Sequence, residues 1–245
     1  MKTDFYDAYW KSGLHTGEEW SPAYFRKVMG VFEGRGSVLD YGCGLGLNYQ
    51  KALSAAIPRY LGADVSSVAL DDLRQKGLEG TEIKGDGSID VEAGSFSAAV
   101  CSEVMEHLFD PLAAAKELYR VLEPGGVLVA TVPNFGYHAW RLMALIRARV
   151  PSEPEDVKKN RFNGVHIRYF NASTFRRLFL DAGFREVEIT AFDQGSVWDI
   201  FKGMSYLAHI SNFARTHLPG PLHLRFLQDL MPSLFAYRIR AVARK

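Results

Sequence analysis

Cysteine is scarce in this chain. Cys43 and Cys101 are the two thiols among 245 residues. Each falls at the end of a predicted strand and reads as a free thiol, which leaves no disulfide framework and fits a reducing, cytoplasmic setting. Net charge is also missing: 29 Lys and Arg stand against 28 Asp and Glu, a balance of +1. Such a balance gives no overall push toward nucleic acid or acidic partners. No apolar run reaches the ~20 residues of a membrane span, and Met1-Lys2-Thr3-Asp4 has no apolar signal core. Internal repeats and low-complexity tracts are absent too. What remains has the length and the apolar content of one globular α/β domain, residues 1–245, with a sizeable core.

The chain is organised around Val38-Leu39-Asp40-Tyr41-Gly42-Cys43-Gly44-Leu45-Gly46. Residues 37–40 read as a buried parallel strand and Leu47 to Ala56 as the helix after it. Glycines at such a turn permit unusual backbone angles and let a ligand lie close to the main chain. The following helix points its free N–H groups at whatever sits there. Further strands are expected at Tyr60–Asp64, Thr81–Lys84, Ser97–Ser102, Val127–Val132 and Phe184–Phe192. A last strand, Ala236–Ala243, closes the sheet in antiparallel sense. Asp110-Pro111 should cap a helix striped with Leu112, Ala115, Leu118, Tyr119 and Leu122. Asn171 should cap another, which Ala182-Gly183 ends.

Asp64 lies about twenty residues beyond the glycine loop, where a doubly wound sheet presents a carboxylate to a ribose diol. It can also serve as an N-cap for the helix beginning near Ser66, and both roles can hold together.

An acid-Gly-x-Gly-x-Gly run after a strand resembles the first motif of class I S-adenosylmethionine (SAM)-dependent methyltransferases. The resemblance covers about residues 36–192 and the final strand. It implies a Rossmann-like α/β fold: a seven-stranded, mostly parallel sheet with an antiparallel last strand and helices on both faces. It implies SAM as cofactor, held by Asp40, Gly42, Cys43, Gly44, Gly46, Asp64, Val65, Asp86, Gly87, Ser102 and Glu103. Asp86 matches the acid that accepts the adenine amine in that family. As a turn aspartate between Gly85 and Gly87 it has a purely local reading as well.

Methyl transfer from a sulfonium is an in-line displacement, so the protein mainly aligns the partners and removes a proton where one must leave. Glu103, Glu106 and His107 stand at i, i+3 and i+4, on one side of a turn if it is helical. His166 falls at a loop expected on the same sheet edge. Two carboxylates and imidazoles can hold a divalent cation, of Mg²⁺, Mn²⁺, Fe²⁺ or Zn²⁺ type. Glu-x-x-Glu-His with a distant His is similar to ubiquinone-biosynthesis O-methyltransferases and to plant small-RNA 2′-O-methyltransferases. That resemblance implies a metal set of Glu103, Glu106, His107 and His166. Its counterpart is a metal-free site in which His107, His166 or Glu106 handles the proton.

Three stretches are individual. Residues 1–35 form an aromatic N-terminal cap with Phe5, Tyr6, Tyr9, Trp10 and Trp20, which either packs on the core or acts as a flap through Trp10 and Lys11. Residues 133–170 carry Arg141, Arg147, Arg149, Lys158, Lys159 and Arg161, a solvated face or a contact for an anionic substrate. Pro133-Asn134-Phe135-Gly136 in that stretch also looks like MetW-type proteins, which carry this fold and assist a partner enzyme. Residues 194–233 form an apolar helical insert suited to a lid or a homodimer contact ahead of a membrane surface. The expected function is methyl transfer to a small-molecule acceptor, at a hydroxyl oxygen first. A partner-assisting protein and an RNA 2′-O-methyltransferase are the alternatives, and no basic patch interleaved with aromatics points to nucleic acid.

Overall fold

The computed structural model describes residues 3–12, 30–32, 34–49, 57–147, 166–192 and 231–245. Its strands are β1 Ser37–Tyr41, β2 Arg59–Asp64, β3 Glu79–Glu82, β4 Phe96–Ser102, β5 Leu122–Pro133, β6 Glu186–Ala191 and β7 Arg238–Arg244. Its helices are α1 Thr3–Lys11, α2 Ser67–Gln75, α3 Pro111–Val121, α4 His138–Arg147, α5 Ala172–Ala182 and α6 Pro232–Phe235. The strands form one sheet in the order β3-β2-β1-β4-β5-β7-β6. β7 runs antiparallel to both neighbours, and the other pairings are parallel.

The central strands are apolar on both faces because both are covered. Val38, Leu39 and Tyr41 of β1 and Ala98 to Cys101 of β4 are fully buried. One cluster on Leu39, Tyr41, Leu118 and Phe179 fills one face; a second on Phe32, Val38, Tyr60 and Leu73 fills the other. The helix ends follow their caps. Asp110 accepts from the Ala113 amide at 3.0 Å with Pro111 at the first helical position. Asn171 and Thr174 form a reciprocal capping box, and Gly183 ends α5 in the left-handed conformation at φ 111°.

Several expected boundaries shift, β6 among them at Glu186–Ala191 rather than 184–192. β3 occupies 79–82 rather than 81–84, since Glu79 to Glu82 pair with Leu61 to Asp64 while Lys84 enters a turn closed by the Gly87 amide. β5 begins at Leu122, because Glu123-Pro124-Gly125-Gly126 bulges within the ladder between the Phe96 and Ala98 pairings instead of leaving it. β7 starts at Arg238, after α6 has used Pro232–Phe235. The expected 47–56 helix past Tyr49, residues 148–165 with most of their basic side chains, and the 194–230 part of the insert lie outside the described residues. Among the described residues, no helix is long and apolar enough to cross a membrane.

Strand order reverses between β1 and β4, the neighbours being β2 on one side and β5 beyond β4 on the other. A crevice for ligands opens at the carboxyl ends of the strands at such a reversal. The candidate residues gather there.

Candidate functional site

The loop after β1 turns on residues that need glycine. Gly42 has φ 77°, and a Cβ there would meet a Val104 methyl at 2.3 Å. Gly44 has φ 50°, and a Cβ would come 2.5 Å from the Trp10 ring. Trp10 of α1 therefore lies against the loop. Asp40 is fully buried. It accepts from the Tyr60 hydroxyl at 2.8 Å and from Asn48 at 3.2 Å. Burial pushes its carboxyl up to about 6, against the pull of those two donors.

Asp64 joins the loop to the end of β2. Its Oδ2 accepts from the Gly44 amide and its Oδ1 from the Ser66 amide, each at 2.9 Å. Burial raises its carboxyl above the usual range. The N-cap of α2 is Ser66 itself, whose hydroxyl accepts from the Ala69 amide at 3.3 Å. Asp7 of α1 completes this corner: its carboxylate accepts from Ser66 Oγ at 2.5 Å, Ser67 Oγ at 3.3 Å and the Val68 amide at 3.4 Å. An anion is favoured at a helix N-terminus. Val65 packs at the edge of the core beside this corner.

Asp86 is exposed and accepts from the Ser88 amide and hydroxyl at 3.0 and 2.7 Å, which hold its carboxyl below the usual range. These are the bonds of a local turn. Gly87 beside it accepts from the Tyr41 hydroxyl at 2.8 Å. Cys43 and Cys101 are free and buried, and burial pushes both thiols up. Ser102 lies 2.9 Å from Thr131, hydroxyl to hydroxyl.

Beyond β4 the chain does not make the expected helical turn over 103–107. Met105–His107 is a single 3₁₀ turn, and Glu103 precedes it with φ 56°. Three of the four expected ligands come together: one ligand atom each from Glu106, His107 and His166 lies within 4.8 Å of the others. Glu106 Oε1 is 3.8 Å from His107 Nε2 and 4.0 Å from His166 Nε2. The His166 loop is pinned here because the Ile167 and Arg168 amides donate to the Glu106 carbonyl at 2.9 and 3.0 Å. Glu103 stands apart from that trio, its Oε2 accepting from Arg238 Nε at 3.2 Å.

Glu106 is 1% exposed, and neither carboxylate oxygen has a hydrogen-bond partner. Burial, then the Glu103 charge, pushes its carboxyl well up. His166 is pushed down to about 4 by burial, then by His107 and Arg238, and is neutral near pH 7. Two ligands each ~2.1 Å from a cation stand roughly 3–4 Å apart. A buried carboxylate lacking donors beside two imidazoles at that spacing suits a divalent cation.

Against this geometry the comparisons are specific. The sequence pattern of a family described as "Methyltransferase domain" matches residues 17–189. The chain belongs to the class I SAM-dependent methyltransferases. This methyltransferase is 30% identical over 170 residues to a ubiquinone biosynthesis O-methyltransferase of Psychrobacter arcticus, a match covering 62% of the chain and 60% of that relative. It is 25% identical over 191 residues to the enzyme of the same name from Pectobacterium atrosepticum, covering 71% of the chain and 75% of the relative. The chain thus spans less than two thirds of the first of these relatives. Among solved structures, a SAM-dependent methyltransferase of Thermotoga maritima superposes with a TM-score of 0.60 at 17% identity, over 99% of this chain and 97% of that one. Phosphoethanolamine N-methyltransferase 2 of Haemonchus contortus, solved with SAM, gives 0.55 at 16% identity over 90% of this chain and 52% of that one. These structural likenesses speak to the fold alone.

Some residues of the methyltransferase's site were not singled out from sequence. Arg238 reaches Glu103 from β7, 135 residues away. Tyr6 of α1 has its hydroxyl pushed up to about 12 by burial, then by the Asp64 and Glu106 charges. Phe135 stands 6.4 Å from the His166 ring, 4.3 Å from Tyr169 and 4.8 Å from Trp140 by ring centroids. Their convergence on His166 depends on β5 and the 166–170 loop meeting at the Asn134–Phe170 bridge.

Proposed function

We propose that this methyltransferase moves the methyl group of SAM to a hydroxyl oxygen of a small-molecule acceptor, beside a divalent cation held by Glu106, His107 and His166. The carrying observation is Glu106: a buried carboxylate with both oxygens unpartnered, facing two imidazoles. Retaining such a group without hydrogen bonds is costly unless a ligand completes it.

SAM lies over the 42–46 loop, with its ribose hydroxyls on the outer lone pairs of Asp64. Each carboxylate oxygen spends one acceptor site on a backbone amide and keeps another. Asp86 is proposed for the adenine end, and Ser102 and Glu103 for the methionine end. α1 lies over the loop through Trp10 and Asp7, and its closure keeps water from the sulfonium. Phe135, Tyr169 and Trp140 offer ring faces to a flat acceptor. The cation, when bound, lowers the pKa of an acceptor hydroxyl that it touches. His166, kept neutral near pH 7 by burial, offers its ring nitrogen to the cation, and the acceptor proton leaves to solvent. The relatives named for O-methylation support oxygen over nitrogen or carbon as the acceptor atom.

The test is turnover of isotope-labelled SAM with a metabolite extract, followed by fragmentation of the labelled product. A methyl ether is expected. Tight SAM binding with no labelled product from any extract contradicts this reading and favours a partner-assisting protein.

A further inference from the structure

Tyr41 is the last residue of β1, directly before Gly42 of the loop, and is fully buried. Its ring belongs to the cluster that fills one face of the sheet, with Leu39, Ile83, Ile89 and Leu118. A buried tyrosine hydroxyl needs a partner, and this one donates to the Gly87 carbonyl at 2.8 Å, 46 residues away. Gly87 belongs to the turn that carries Asp86. Its amide donates to the Lys84 carbonyl at 2.8 Å, and the Lys84 amide to the Ser88 carbonyl at 2.9 Å. The flanks of this turn are fastened separately. On one side the Ile83 amide donates to the Asp64 carbonyl at 2.9 Å. On the other, Glu117 of α3 accepts from the Ile89 amide at 2.9 Å. Arg120, paired with Glu117 at 2.7 Å, donates to the Ile89 and Val91 carbonyls at 3.3 and 2.9 Å. The Tyr41 bond holds the turn itself, at the residue next to Asp86.

Resting on the reading of Asp86 as the adenine contact, we propose that Tyr41 is a positioning residue that sets the base selectivity of the cofactor site. It ties the turn that presents Asp86 to the strand that carries the glycine loop. The two ends of the cofactor site thereby keep a fixed spacing. An ionised carboxylate accepts from an amino group and has no proton to offer a carbonyl oxygen. That selection is sharp only while the carboxylate is held in one place. Asp86 is exposed, and its own partners, the Ser88 amide and hydroxyl, travel with the same turn. They aim the carboxylate within the turn but do not place the turn in the crevice. Tyr41 does so from β1, which is paired on both sides within the sheet.

The experiment measures, by calorimetry, the binding of S-adenosylhomocysteine and of S-inosylhomocysteine, which carries a carbonyl oxygen in place of the adenine amine. Four proteins are compared: wild type, Tyr41→Phe, Asp86→Ala and the double variant. Wild type should prefer the amine by at least about tenfold, the size of a hydrogen bond to a charged group. Tyr41→Phe keeps the buried ring and loses the hydroxyl alone. Its preference should shrink by about fivefold, the size of one neutral hydrogen bond. A purely structural role would weaken both ligands equally and leave the preference unchanged. Asp86→Ala should abolish the preference. Adding Tyr41→Phe to it should change the preference no further, because the hydroxyl acts through Asp86. A wild-type preference in Tyr41→Phe overturns the inference, and so does a change of preference by Tyr41→Phe in the Asp86→Ala background. A Tyr41→Phe protein that does not fold overturns it as well, since the hydroxyl would then hold the core rather than the turn. No preference in wild type, or an unchanged one in Asp86→Ala, sinks the adenine reading and this inference together. A preference lost in Asp86→Ala but intact in Tyr41→Phe sinks only the inference.

Discussion

The Gly44 amide donates to Asp64 Oδ2 at 2.9 Å, tying the glycine loop after β1 to the carboxyl end of β2. One carboxylate thereby orders the loop and faces the crevice where strand order reverses. Asp64→Ala removes the acceptor for the loop and, on the proposed function, for the ribose. SAM affinity should fall by at least roughly tenfold by calorimetry, the equivalent of one charged hydrogen bond of about 1.5–3 kcal/mol. Unchanged affinity in a folded variant removes Asp64 from the cofactor site.

Asp7 fastens α1 across the N-terminus of α2 through Ser66, Ser67 and Val68. Asp7→Ala should release α1 without changing the sheet. Faster SAM dissociation is expected, with faster hydrogen exchange confined to residues 3–12 and 66–68. Exchange rates and SAM release equal to wild type would show that these bonds do not hold the cap.

Stability should respond to acid in two opposed ways. Asp40 has a folded pKa of about 6 against an ordinary 3.8, so the folded chain keeps a proton that the unfolded chain has lost. Its contribution is full below the ordinary value and is lost as pH rises through about 6, by up to about 3 kcal/mol. His166 has a folded pKa of about 4 against 6.5. Its contribution is present above the ordinary value and is lost as pH falls toward 4. In urea unfolding, Asp40→Asn should flatten the loss on raising pH. His166→Gln should flatten the loss on lowering it. Identical pH profiles for wild type and Asp40→Asn would contradict the burial account of Asp40.

The sheet was legible because its central strands are continuous apolar runs followed by turn and cap residues with definite geometric demands, as at Gly42, Asp110-Pro111 and Asn171. β3 slipped because Glu79-Gly80-Thr81-Glu82 carries no apolar signal, and only the ladder with β2 makes it a strand. At the site, Glu106 and His107 are adjacent in sequence, and His166 was placed by its loop. The split between Glu103 and Glu106 was not legible. It follows from a positive φ and from an arginine that reaches Glu103 only because β7 runs antiparallel beside β5. Asp7 and Tyr6 are equally long-range: their partners lie on β2, α2 and the 105–107 turn.

His107 is 18% exposed in its side chain, the most open member of the trio after His166 at 25%. His107→Ala should lower methyl transfer far more than SAM affinity, since His107 stands beside Glu106 and His166. Equal losses in both would place it in the cofactor site instead.

The most direct test of the account is divalent-cation binding by wild type and by Glu106→Gln, with SAM affinity measured in parallel. Wild type should bind one equivalent, lose methyl transfer on chelation and regain it with one divalent ion. Glu106→Gln should bind the cation at least about tenfold more weakly while holding SAM as wild type does. Full methyl transfer by exhaustively chelated wild type, with no metal by elemental analysis, would contradict the account and leave His107 or His166 as a metal-free base.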